Sequence, residues 1–211
     1  MQVSLFNLPV SQTNTVSKSE MFHNEIFIGE ILVSENSSLV KEKIIQAAMK
    51  VFAEHGFFKA PVRLIAVQAG VSKGLIFWYF RSKDELIKEV AKRSLPIDII
   101  EECLNTNLKG EELLKCLGKK YLNKYSDRVM KLLLLHAFSI MPVYSYIRQL
   151  ISEKCSKLLK EIAKRVYGND SISSKIKIRV FLGGLLCYIL HELNEVDHDT
   201  YVNELINLLN K

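Results

Sequence analysis

Turn residues are scarce in this chain of 211 residues: nine glycines and four prolines. Such a supply speaks against a many-stranded sheet fold, in which strands end every few residues at a turn. Long apolar runs are also missing. The longest, residues 181–190, contains Gly183 and Gly184, lies between Arg179 and His191, and reaches about half of a bilayer span, so no transmembrane helix is expected. The first cation is Lys18, which leaves the N-terminus without the basic segment of a secretory signal. Four cysteines, Cys103, Cys116, Cys155 and Cys187, make no Cys-x-x-Cys pair and are read as buried or free thiols of a reducing cytoplasm, with a disulfide or redox pair as the lesser alternative. There is no phosphate-binding glycine loop and no G-x-S-x-G elbow. The stretch His191-Glu192-Leu193-Asn194-Glu195 has a glutamate where a zinc-protease helix needs its second histidine, and Asp197, His198 and Asp199 beside it read as a solvated polar turn. These absences leave no catalytic constellation, so the expectation is a protein that is not an enzyme, with no cofactor and no metal.

What is present is helix-forming and unevenly charged. Hydrophobic residues make up 48% of the chain, and Leu, Ile, Lys and Glu dominate after the first 37 residues. Residues 1–37 carry one lysine and four glutamates, residues 38–95 eleven cations and five acids, and residues 96–211 seventeen and fourteen. The basic excess therefore sits in the middle block, as a surface that meets a polyanion requires. Residues 1–37 cannot build a packed unit alone and are taken as an N-terminal extension, either a mobile arm with one short element or a product of a start upstream of Met21.

From Leu39 to Phe52 the apolar residues recur at three and four, which predicts an amphipathic helix that begins near Ser38 and stops at Gly56. Pro61 suits the first position of a second helix, whose stripe Val62, Ile65, Ala66, Ala69 ends at Gly70, a natural left-handed cap. Ser72 caps a third helix, Lys73 to Phe80, and Ser82-Lys-Asp-Glu85 is a capping box for a fourth that ends before Pro96. Two short helices around a glycine turn, with a basic residue opening the second, are the elements of a helix-turn-helix. Ser72, Lys73 and Gly74 then occupy the helix N-terminus, where free N–H groups favour phosphate and side chains reach base edges.

With these residues in place, Lys41 to Arg93, about a quarter of the chain, resembles the DNA-binding domain of TetR-type transcriptional repressors: a first helix ending A-x-x-x-F-A-E-H-G-F, then V-x-x-I-A-x-x-A-G-V-S-K-G-x-I-F-x-Y-F-x-S-K-D-E-L. The resemblance implies that Lys73, Gly74 and Leu75 face the major groove, that Tyr79 and Lys83 bind phosphate, and that Arg63 reaches groove or backbone from the second helix. Trp78 either contacts DNA or packs on the first helix. Three positions depart from the family pattern: Ala60-Pro61 replaces a Thr pair that caps the second helix, Leu64 an acid, and Phe77 a tyrosine.

Beyond Pro96, helices are expected over 97–106, 110–124, 127–141, 142–167, 172–194 and 199–210, joined by short turns as in an antiparallel bundle. The most apolar, around Met130 to Met141, is placed at the bundle centre, with His136 a hydrogen-bonded core histidine. Leu134, Phe138, Met141, Tyr144 and Tyr146 are the candidate ligand wall. Phe181, Leu185, Tyr188, Ile189 and Leu205 of the two last helices are the candidate dimer contacts, Gly183-Gly184 allowing close approach. The fold class is thus all-α: an N-terminal three-helix DNA-binding domain with its linking helix (38–95) and a helical ligand-binding and dimerisation domain (96–211). The function expected is a cytoplasmic, effector-released repressor, a homodimer on a palindromic double-stranded DNA operator, with no membrane partner. An architectural DNA protein without effector and a bundle enzyme are the alternatives.

Overall fold

The computed structural model describes residues 18–191 and 195–210, with side chains from residue 37 onward except Leu150. Ten helices follow in order among them: α1 Lys18–Lys59, α2 Val62–Ala69, α3 Lys73–Tyr79, α4 Lys83–Ser94, α5 Ile97–Leu104, α6 Gly110–Ser126, α7 Arg128–Ile140, α8 Ser145–Tyr167, α9 Ile172–Leu190 and α10 His198–Leu209. The described residues contain no strand. The chain falls into two units, Met1–Glu42 and Lys43–Lys211. In the first, α1 is already helical at Lys18, well before the expected start at Ser38. Residues 18–37 hold no proline and only Gly29 as a breaker, so nothing obliges the helix to wait for the serine. In the second unit α1 buries Ile44, Ile45, Ala48, Val51 and Phe52 and bends at Gly56, whose φ of 72° only glycine adopts without strain.

Every helix expected after Pro96 forms, within a few residues of its predicted ends. The helices on either side of Pro96 lie in one unit, because α4 packs on α5, α7 and α8. The centre of that unit differs from expectation. It is α6, not α7, that touches α5, α7, α8, α9 and α10. Leu113, Leu114, Leu117, Tyr121, Leu122 and Tyr125 are all buried, each aliphatic contributing roughly 1.5–3 kcal/mol. Gly118 permits this: a Cβ there would stand 2.7 Å from both Val202 methyls of α10. Helix α7 is apolar on most sides but buries only Leu133, Leu134, Ala137 and Ile140, and leaves Phe138 to solvent. Periodicity alone could not choose its inner face.

Two expectations about side chains change. Cys103 and Cys116, taken as free thiols, form a disulfide between α5 and α6, with Cα atoms 6.1 Å apart; Cys155 and Cys187 are free. The spacing gave no hint because the pair faces across a helix–helix contact. Of the five residues assigned to a dimer face, Phe181, Leu185, Tyr188 and Ile189 are buried within the single chain, and half-buried Leu205 packs on Gly184. A Cβ at Gly184 would lie 2.8 Å from Leu205 Cδ2, so this glycine serves contact between α9 and α10 of one chain. The face of α9 left to solvent is Ile172, Ile176, Val180, Gly183, Cys187 and Leu190, spaced at three and four. The Glu192-Leu193-Asn194 part of the zinc-protease-like stretch lies outside the described residues.

Candidate nucleic-acid interface

The turn between α2 and α3 is built by local chemistry. Gly70 takes the left-handed conformation (φ 62°, ψ 38°), its N–H returning to the Ala66 and Val67 carbonyls, which ends α2. Ser72 then starts α3: its Oγ accepts from the Leu75 N–H at 3.1 Å. Pro61 is the residue before α2, not its first turn, and contributes no side-chain cap; only its carbonyl accepts, from Leu64 N–H at 3.0 Å. The capping bond that a threonine would supply is therefore absent from this chain's second helix. At α4, Ser82 Oγ accepts from Glu85 N–H (3.2 Å), while the Glu85 carboxylate accepts from Arg81 N–H (3.0 Å). This is a capping box whose return bond falls one residue early. Core contacts of Ile65, Ala66, Ala69, Ile76 and Phe80 hold α2 and α3 together.

The side chains assigned to DNA fall into two groups. Arg63, Ser72, Lys73 and Gly74 are exposed on α2 and at the start of α3, with Leu75 half-buried behind them. Lys73 Nζ lies 5.7 Å from the centre of the Phe77 ring. A Cβ on Gly74 would meet only Ser72 Oγ, at 3.8 Å, so the surface there is open. Trp78 is 71% exposed and stands edge-on to Tyr79, ring centres 4.7 Å apart. The open choice for Trp78 is resolved toward solvent, on the same helix as Lys73. Lys83 also has a partner within the chain. Its ammonium donates to the Phe58 carbonyl at 2.6 Å, tying the start of α4 to the end of α1, and its loss of solvent lowers its pKa. One of its three donors is thus engaged before any phosphate arrives. Leu64 and Phe77, which depart from the family pattern, are exposed on α2 and α3, and so is Val67, which the sequence reading did not single out.

Beneath the head, α4 is joined to the body by α6 and the α7–α8 turn. Lys124 of α6, with 13% of its side chain exposed, donates to the Arg93 and Leu95 carbonyls (3.0 Å each) and pairs with Asp98 at 2.6 Å. Tyr125 Oη donates to the Ser94 carbonyl at 2.8 Å, both buried, and burial raises the phenol far above its ordinary pKa. His136, as expected, is hydrogen-bonded: Nε2 donates to the Ala53 carbonyl at 3.3 Å, with its ring edge-on to Phe57. None of the five candidate ligand residues lines the cavity between α5, α8 and α9 described below. Leu134 is in the core; Phe138 and Met141 lie at the end of α7. Tyr144 Oη donates to Asp84 at 2.8 Å and its ring stacks on Phe58. Lys88 Nζ sits 5.4 Å over the Tyr146 ring. A cavity of about 370 Å³ opens between α5, α8 and α9, floored by Ile100, Leu158, Leu159, Ile162 and Leu182.

No metal-binding group of three or more ligands occurs among the described residues. Asp197 caps α10, accepting from the Thr200 N–H, which lowers its carboxyl pKa. Asp199 pairs with Lys119 at 3.0 Å, and His198 stands edge-on to Tyr188. Among the described residues no single helix is long and apolar enough to cross a membrane.

A helix-turn-helix with an open, basic recognition-helix terminus, set on an antiparallel helical body, defines a class of DNA-binding regulators. Residues 44–90 match the family described as "Bacterial regulatory proteins, tetR family". The "Fatty acid metabolism regulator protein" of Bacillus subtilis (strain 168) is 33% identical over 81 residues, 37% of this chain and 42% of that protein. The chain thus matches less than half the length of this curated relative. The fold likeness is longer. A transcriptional regulator from Aquifex aeolicus VF5 is similar with TM-score 0.61 and 25% identity, covering 81% of this chain and 98% of the other. The transcriptional regulator FadR from Bacillus subtilis, solved in complex with stearoyl-CoA, is similar with TM-score 0.57 and 21% identity, over 80% and 96%.

Proposed function

We propose that this chain is a transcriptional repressor that binds a palindromic operator as a homodimer and is released by a small hydrophobic effector. The observation that carries the reading is the start of α3: Lys73 and Gly74 exposed behind a Ser72 cap, within the TetR-family domain. Lys73, Gly74 and Leu75 read base edges; Ser72, Tyr79 and Arg63 hold phosphates; Trp78 extends the contact along the backbone. Lys83 orients α4 first and reaches phosphate second.

A palindrome requires two heads about one DNA turn apart, ~34–36 Å, hence a two-fold interface. The exposed apolar stripe of α9 supports a dimer seam there, since Ile172, Ile176 and Val180 are each more than half exposed. Cys187 and Leu190 continue it. The effector acts by population shift: it favours an arrangement of the body in which the two heads no longer match the half-sites. Helix α4 is the lever, because α6 grips its C-terminal carbonyls through Lys124 and Tyr125. A neighbour of the same fold crystallised with stearoyl-CoA, which supports an apolar effector. Regulation, not catalysis, is the activity assigned, and the location is the cytoplasm. There the Cys103–Cys116 pair faces a reducing pool.

Selection of bound genomic fragments at two salt concentrations tests the reading. A recurrent palindrome kept at the higher salt is expected. Unrelated fragments lost steeply as salt rises would show backbone binding alone and refute it.

A further inference from the structure

The cavity between α5, α8 and α9 has one chemistry on its floor and another on its rim. The floor is aliphatic. The rim carries Ser152, Ser156, Cys155 and Arg179, and a contiguous recess of about 250 Å³ shares Ser156, Leu159 and Arg179 and adds Lys175. No acid lines either space. Arg179 is exposed and makes no hydrogen bond or ion pair with a described residue. Cys155 does not neutralise it: burial raises the thiol pKa against the opposing pull of Arg179, so the sulfur stays protonated and uncharged. Lys175 lies one helical turn before Arg179 on α9, which places two cations at one end of an apolar trough.

We infer that this trough binds a single-tailed amphiphile with an anionic head group, the tail on Ile100, Leu159 and Ile162 and the head on Arg179 with Lys175 and the Ser156 hydroxyl beside it. A guanidinium fork matches a carboxylate or phosphate bidentately, and a neutral or cationic head leaves it without a partner. The volume suits a tail of medium length. The inference deepens the proposed function by giving its effector a charge and a place. Ile100 belongs to α5, which follows α4 directly, so an occupant touches the segment that leads to the DNA-binding head.

Calorimetric titration of the full chain with decanoate, decyl phosphate, decan-1-ol and decyltrimethylammonium, each below its micellar concentration, tests the site. Decanoate or decyl phosphate is expected to bind best, the tighter of the two identifying the head, with decanol weaker and the cation not detected. Arg179→Met should weaken the anion roughly tenfold to a hundredfold, the value of a charge-assisted contact, and leave decanol within about twofold. Leu159→Trp, or Ser156→Trp from the rim if the first variant unfolds at a lower temperature, should remove anion and alcohol alike. Equal binding of all four head groups, no binding of any, or anion binding indifferent to Arg179→Met overturns the inference. The same samples are then mixed with operator DNA. Anion binding without DNA release leaves the site intact and refutes its effector role; absence of any operator binding refutes the repressor reading while the calorimetry still decides the site.

Discussion

Replacing Lys124 with methionine keeps the aliphatic stem and removes the ammonium, which isolates the grip of α6 on the α4–α5 joint. The ammonium reaches three acceptors: the Arg93 and Leu95 carbonyls at 3.0 Å and the Asp98 carboxylate at 2.6 Å. These contacts differ in environment. Asp98 is 66% exposed, so its ion pair is worth ~0–1 kcal/mol. The carbonyl contacts end the helix that carries the head, and hydrogen bonds to a charged group are worth ~1.5–3 kcal/mol. Lys124→Met should therefore cost ~2–3 kcal/mol, and Asp98→Asn ~0.5 kcal/mol, a gap several times the error of a urea titration. The assay is urea unfolding, read as a shift in midpoint at constant slope. If Asp98→Asn costs as much as Lys124→Met, the exposed ion pair carries the joint and the argument from the carbonyls is wrong. Because Lys124 is remote from the recognition helix in sequence and not part of the DNA face, the variant should keep operator affinity and lose effector-induced release.

Other perturbations probe separate parts. Lys73→Ala and Tyr79→Phe should each lower operator affinity, Lys73→Ala also relaxing the preference for the palindrome over unrelated DNA, without altering sedimentation; unchanged DNA affinity in both refutes the docking face. Val180→Glu, in the exposed stripe of α9, should yield folded monomers on a sizing column, and persistent dimers would place the seam elsewhere. Gly118→Ala should lower the unfolding free energy by ~1–3 kcal/mol, because its methyl would meet Val202 at 2.7 Å; a neutral result would mean α10 yields freely. Tyr144 has its pKa pushed up to about 12 by burial and by its bond to Asp84. Since the folded value is the higher one, the bond's stabilisation is whole below the ordinary phenol value of 10.0 and is lost as pH rises toward 12, so Tyr144→Phe should remove that alkaline step from a stability profile.

How legible each part was follows from the range of its signals. The head was readable because its instructions are local: Gly70, Ser72 and Ser82 act within four residues of where they stand, and each acts as its type requires. Even there, the bond from Lys83 to the Phe58 carbonyl, 25 residues back, is one that no motif encodes. Helix existence in the body was equally plain, but facing was not. Helix α9 is apolar nearly all round, so Phe181 and Leu185 looked as fit for a partner chain as Val180. Only packing on α6 and α10 decides that the first two turn inward. Gly183 and Gly184 make the point within one dipeptide: the second has Leu205 against it, and the first has nothing within 4 Å. The cavity draws on Ile100 and Arg179, far apart in the chain, and the disulfide joins helices across a contact, so neither leaves a spacing to read. The signals that build the head are short-range and those that build the trough are long-range, which is why the head matches a family pattern over residues 44–90 and the trough shows only in three dimensions.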